Sequence, residues 1–333
     1  MTGKERIERT LSGQSTDIVP RTPILMRYGA EYIGSNYGSF ASDFNILVEA
    51  THRTAIDFGY DQVSVISDPY RETQGFGAEI QFVTDGVPRC VKHPLEDDPD
   101  LGKLLKPDPL KSARMLDRVR AVGKLEQVAG DYSILGWVEG PAAEATDLRN
   151  AEPFLIDLID DEDYATELMD ITLENAIRFA RAQIEAGCDM VGMGDAIASQ
   201  VGPALYEELI QPREKRLVQA IKAMGAKVKI HICGDITPLL PGLADIAPDV
   251  LDCDHMVSLE KARKIMPSGT VLTGNLDPAN DMLLDSPEAI RAKVEQAYRE
   301  AGNPYFVNAG CEIPSGTPAE NLKALCEPLP YRN

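Results

Sequence analysis

The chain has no uninterrupted apolar run approaching the roughly 20 residues that a membrane helix needs, and its polar start, MTGKERIERT, lacks the apolar core of a signal peptide. A cytoplasmic location is the expectation. Positive charge is scarce: 33 Lys and Arg stand against 53 Asp and Glu, a formal net charge of −20. Such a surface repels phosphate backbones and anionic lipid, so neither nucleic acid nor membrane is expected as a partner, and an anionic small substrate would need a local basic pocket. Cysteine is too sparse for a disulfide framework, at six in 333 residues; thiols used this way are core residues, nucleophiles or metal ligands. Neither GxGxxG nor GxxxxGK[ST] occurs, which removes the commonest dinucleotide and phosphate-binding loops. There is no low-complexity tract, no short-period repeat and no Pro/Gly/Ser linker, so one domain over residues 1–333 is the simplest organisation.

What is present is a repeating pattern. Eight short β-rich apolar runs end in polar residues: Thr22 to Tyr28, Tyr60 to Asp68, Tyr132 to Gly140, Met190 to Asp195, Lys227 to Cys233, Val250 to His255, Thr270 to Leu276 and Tyr305 to Cys311. Helical stretches lie between them, among them Asp43 to Phe58, Glu162 to Ala186, Tyr206 to Met224, Pro287 to Ala301 and Pro318 to Leu325. Several open on Ser, Thr or Asp before Pro or Glu and several close on Gly, which is helix-capping chemistry. Eight strands alternating with helices, several too continuously apolar to have a solvated face, predict an α/β fold of the (β/α)8 TIM-barrel type. Glu79 to Leu95 breaks the rhythm: two β-like runs flank Thr84-Asp85-Gly86, predicting a hairpin inserted after strand two.

A barrel places its active site at the carboxyl ends of its strands. The residues predicted there are Arg27 and Tyr28, Asp68, Glu139, Asp195, His231 with Cys233, Cys253 with Asp254, Asn275 with Asp277, and Cys311. Alternation along a strand turns residues two apart to the same face, so the imidazole of His231 and the thiol of Cys233 can point into one site. With Cys311 at the same rim they form a donor set suited to Zn²⁺, leaving one coordination position for substrate, water or a weak protein ligand. Asp254 is the candidate for that fourth position, or for an acceptor to the His231 ring; Cys253 alternates to the other face. Cys90, Cys188 and Cys326 read as packing residues, and His52 and His93 as surface or satisfied polar groups.

The stretches HICGDITPLLPGL (231–243), LDCDHMVSLEKARKIM (251–266), TGNLDP (273–278), NAGCEIPSGTPAENLKAL (308–325) and ISDPYRETQGFGAEIQF (66–82) resemble the uroporphyrinogen decarboxylase superfamily, and within it the zinc-dependent methylcobamide:coenzyme M methyltransferase branch. The resemblance spans most of the chain and implies the same barrel. In that branch a His-x-Cys and a distant Cys hold zinc, which maps onto His231, Cys233 and Cys311. The decarboxylases carry a histidine where Cys311 stands, and an arginine-rich signature near the first strand; here that signature reads RYGAEYIG from Arg27 and keeps one arginine. Asp68 does match the decarboxylases' catalytic aspartate.

The activity implied is methyl transfer between a cobalamin, carried by a partner corrinoid protein, and a small thiol or other methyl donor or acceptor. Asp68, Glu139 and Asp195 would orient the substrate or take its proton. Arg27, Tyr28, Arg71 and Asn275 are the substrate-binding candidates, the two arginines suiting an anionic tail and Asn275 equally suiting the strand-seven turn. Two alternatives stand beside this activity: a metal-free decarboxylase centred on Asp68, and a non-catalytic corrinoid- or metal-binding protein.

Overall fold

The computed structural model describes residues 1–332; Asn333, the last residue of the expected domain, lies outside them. Its strands are β1 (Gln62–Ser64), β2 (Glu79–Gln81), β3 (Arg89–Lys92), β4 (Ser133–Glu139), β5 (Met190–Gly194), β6 (Lys227–His231), β7 (Val250–Asp252), β8 (Val271–Leu276) and β9 (Tyr305–Ala309). Seven of them form one sheet in the order β1-β4-β5-β6-β7-β8-β9, and every pairing in it is parallel. Helices run between successive strands, which makes the fold α/β and TIM-barrel-like. All seven residues of β4 are buried, as a strand covered on both faces requires. β2 and β3 pair antiparallel in a separate two-stranded sheet.

The first apolar run does not form a strand. Pro20 and Pro23 lack the amide protons a ladder needs, and the segment contributes only an isolated parallel bridge, Arg21 to Val307. Thr22 donates its amide to Val307 O and Arg21 O accepts from Asp61 N, so residues 20–22 still tie β9 to the approach of β1. From Arg27 to Tyr32 the chain is helical.

The helices follow their caps. The helix Phe44–Phe58 is capped by Asp43 and stops at Gly59 in the left-handed region, and Pro287–Ala301 starts from the Ser286 hydroxyl. The stretch that reads as one helix over 206–224 is divided into a π-helical turn, Tyr206–Ile210, and a helix, Gln211–Ala223, because Pro212 removes a backbone donor. Inside the curved sheet a separate apolar cluster includes Ile7, Ile24, Ile66, Leu135, Trp137 and Phe306. It forms the floor on which the site rests. No helix of the described residues is long and apolar enough to cross a membrane.

Candidate metal centre and its surroundings

The register of the sheet brings four positions to one level: Glu139 is opposite Gly194, Gly194 opposite His231, and His231 opposite Asp252. Cys233 follows two residues after the end of β6, and Cys311 two residues after the end of β9. Gly310 makes the second approach possible, since a Cβ there would sit 2.5 Å from His255 N. The ligand atoms of His231, Cys233 and Cys311 lie within 4.8 Å of one another, the one such group of three His, Cys, Asp or Glu among the described residues. His231 Nε2 is 3.2 Å from Cys233 Sγ and 3.6 Å from Cys311 Sγ.

These separations fit a metal. Tetrahedral zinc with ordinary bond lengths sets nitrogen and sulfur about 3.6 Å apart and two sulfurs about 3.8 Å apart. The protonation pattern suits it too. A hydrogen bond with Cys311 holds the Cys233 thiol below its usual range, while the same contact, and then burial, push Cys311 up. The pair therefore shares one proton, held on Cys311, which a cation bound by both sulfurs would displace. Burial by itself would lower the His231 imidazole, but Cys311 and Asp252 outweigh it and raise it.

Asp254 stands outside the group. Its Oδ2 accepts from Gly234 N at 2.8 Å and its Oδ1 lies 2.6 Å from His255 Nδ1. The carboxylate on the far side of the imidazole is instead Asp252, with Oδ2 3.6 Å from His231 Nδ1 and 2.7 Å from the buried Lys229 ammonium. β7 ends at Asp252, so Asp254 belongs to the following turn and not to the strand face. Strand alternation puts Asp252 and Asp254 on the same face and so does not distinguish them; the earlier end of the strand does.

The cluster opens into a cavity of about 160 Å³ whose lining includes Ile24, Met26, Trp137, Glu139 and Glu312. A larger groove of about 550 Å³ lies on the outer helices, between Phe76 and Arg178, away from these groups. Of the three predicted acids only Glu139 lines the cavity. Asp68 is buried in a two-point contact with Arg114, at 2.6 and 3.2 Å; burial favours its neutral form, but Arg114 prevails and keeps its carboxyl low. Asp195 is fully buried and turned to the start of helix Pro141–Arg149, accepting from Ala142 N at 3.3 Å and Ala143 N at 2.7 Å. Arg71 is fully buried, not open to a substrate: it donates to Glu139 Oε1 and to the Asp68 carbonyl, and Nε lies 3.5 Å from Glu72.

The remaining predicted contacts also fall elsewhere. Arg27 is partly exposed and paired with Glu31 at 2.8 Å. Because residues 27–32 are helical, Tyr28 turns outward into the core against Phe58, with ring centroids 6.1 Å apart. Asn275 donates to Val257 O at 2.6 Å and so holds the turn after β7.

Around Arg71 the acids outnumber the cation. Burial, above all, raises Glu72 and Glu144, and carries Glu139 to about 8; burial likewise carries Asp195 to about 7. These groups stay protonated in the folded chain at pH values where the unfolded chain has ionised. The unfolded state then binds fewer protons, and stability falls as pH rises from about 4 toward 8, by up to about 1.4 kcal/mol per pH unit for each group. Asp68 works the other way, its contribution disappearing only as pH falls below the ordinary carboxylate range. The expected result is a melting temperature that is highest near pH 5 and declines to pH 8.5; a flat or rising profile would contradict these protonation states.

The uroporphyrinogen decarboxylase (URO-D) family profile matches residues 2–329. Methylcobamide:CoM methyltransferase MtbA of Methanosarcina mazei is 28% identical over 337 residues, covering 98% of this chain and 97% of the relative. Methylcobamide:CoM methyltransferase MtaA of Methanosarcina barkeri is 26% identical, covering 97% and 96%. A uroporphyrinogen decarboxylase of Synechococcus is 25% identical, covering 95% and 93%. Among solved structures, a methyltransferase from Methanosarcina mazei shares the fold with a TM-score of 0.89, at 24% identity and 98% and 97% coverage. With a profile match running nearly end to end, the chain belongs to the uroporphyrinogen decarboxylase (URO-D) family.

Proposed function

We propose that this protein is a zinc-dependent, corrinoid-linked methyltransferase that moves a methyl group between a cobalamin, presented by a partner corrinoid protein, and a small thiol or other methyl donor or acceptor. The observation that carries the proposal is the His231, Cys233 and Cys311 cluster at the carboxyl end of the sheet, with separations that suit zinc. The relatives named methylcobamide:CoM methyltransferases support the same reaction class. The three residues are the metal ligands in this reading, and the fourth position belongs to substrate. A zinc ion held by two thiolates and an imidazole lowers the pKa of a bound thiol, so that the nucleophilic thiolate is present at neutral pH.

The chain's own residues supply the rest. Asp252 fixes the His231 ring from behind, Asp254 holds the turn carrying Cys233 through the Gly234 amide, and Glu139 faces the substrate. Asp68 and Asp195 act on the frame, through Arg114 and through the helix start at Ala142. Residues 20–22 take the place of the first strand in a single closed barrel, with β2 and β3 as its inserted hairpin, working in the cytoplasm.

Decarboxylation of a tetrapyrrole fits poorly. Pockets for drug-sized ligands run to roughly 300–1,000 Å³, whereas this cavity is about 160 Å³ and no arginine or lysine lines it. The test is metal analysis of the purified protein together with the absorption of methylcobalamin on adding thiols. About one zinc per chain and zinc-dependent loss of the methylcobalamin bands are expected. A chain that takes up no zinc, or one that leaves methylcobalamin unchanged with every thiol, overturns the reading.

A further inference from the structure

We propose that the small substrate carries a cationic, hydrogen-bond-donating group, an ammonium, beside its sulfur, and that Glu139 receives it. The inference rests on the methyl-transfer reading and names the substrate class within it. Glu139 is nine-tenths buried and lines the cavity. Arg71 occupies its Oε1, while Oε2 has no donor among the described residues. An oxygen left this way next to a cavity that also holds the metal ligands is a receptor for a donor on the ligand.

The path between the two sites is open. Glu139 and His231 stand two strands apart, roughly 10 Å between backbones, and the position between them is Gly194. A Cβ on Gly194 would lie 3.0 Å from Trp137 Cζ2 and 3.5 Å from Glu139 Oε2. Glycine thus leaves the floor clear for a short chain joining a sulfur at the metal to a head at the carboxyl group. Trp137 is the one aromatic side chain among the lining residues, and an indole favours a neighbouring cation.

Nothing comparable awaits an anion. Arg71 is held by Glu139, Glu72 and the Asp68 carbonyl, Lys229 lies beneath His231 against Asp252, and Arg27 is paired with Glu31. Glu312, the other acid of the lining, accepts from Arg27 N and offers an anion no positive charge. A sulfonate or carboxylate tail would meet these acids in a chain of net charge −20.

The experiment compares 2-aminoethanethiol, 2-mercaptoethanol and 2-mercaptoethanesulfonate with the zinc-loaded protein at about pH 8.5, above the value of about 8 to which burial carries the Glu139 carboxyl, so that it is ionised while the ammonium keeps its proton. Calorimetry reads the binding constant and methylcobalamin absorption reads the transfer. The aminothiol is expected to bind at least about tenfold more tightly than either of the others, the factor of one hydrogen bond to a charged group. Glu139→Gln, at unchanged zinc content, should bring the aminothiol to within about threefold of 2-mercaptoethanol, consistent with loss of that charged contact. Gly194→Ala should weaken the aminothiol while leaving zinc in place. Binding of the sulfonate as tightly as the aminothiol, or a preference that survives Glu139→Gln, overturns the inference. If the thiols are methylated without regard to charge, this inference fails and the methyltransferase reading stands. If none binds and no methyl moves, both fail.

Discussion

Replacing Cys311 with alanine is expected to remove zinc from the purified protein and, with it, methyl transfer. The side chain supplies one of only three ligand atoms within 4.8 Å of each other, and the two that remain, His231 and Cys233, are neighbours on one strand end. Loss of even an outer-shell partner typically costs 10–100-fold in metal affinity, so loss of a ligand should exceed about a hundredfold. Zinc retained after dialysis against a chelator is the readout, and retention at the wild-type level would exclude Cys311 from the site. Folding is a separate question, because Cys311 is partly exposed in the cavity wall and is not a core residue. Circular dichroism of the variant should match the parent. The Cys233→Ala variant should behave alike, by at least tenfold in affinity, since its sulfur lies 3.2 Å from the same imidazole nitrogen.

The parts of this site that sequence could show are those governed by local rules. His231 and Cys233 are two apart at the end of an apolar run, and Gly310-Cys311 ends another; strand alternation and the carboxyl-end rule place all three without knowledge of any contact. Asp254 shows how narrow that rule is. Strand β7 ends three residues sooner than the run suggests, and the acid next to the imidazole is Asp252, on the strand face. The first apolar run matches a strand in composition, yet its prolines leave it one bridge. What sequence does not show is partner choice over distance. Arg71 and Glu139 are 68 residues apart, Asp68 and Arg114 are 46 apart, and no sequence neighbour of Arg71 or Arg114 announces the distant acid that takes up its charge. Reading Arg71 as a grip for an anionic tail follows from counting cations near strand ends. Its burial follows from packing that only the fold specifies.

Arg71→Met is expected to be the most destabilising single change in this region, and its pH dependence identifies why. The guanidinium is completely buried and serves Glu139, Glu72 and two backbone carbonyls, those of Ser67 and Asp68, at once. Removing one member of a buried ionic group leaves its partners uncompensated, at roughly 3–5 kcal/mol. The flexible thioether of methionine fills much of the volume, so the deficit reports charge more than a void. At pH 8 Glu139, whose carboxyl titrates near 8, must either ionise without its cation or take up a proton from solution. At pH 5.5 the same carboxyl is already neutral in the folded chain, and the arginine has less to compensate. Urea unfolding of parent and variant should therefore differ most at pH 8 and converge as pH falls, with the Asp68–Arg114 pair intact in both. A deficit of equal size at both pH values would mean that Arg71 contributes by packing and backbone hydrogen bonds alone. It would also remove the reason for treating Glu139 as a carboxyl group poised to meet a second cation from the cavity side.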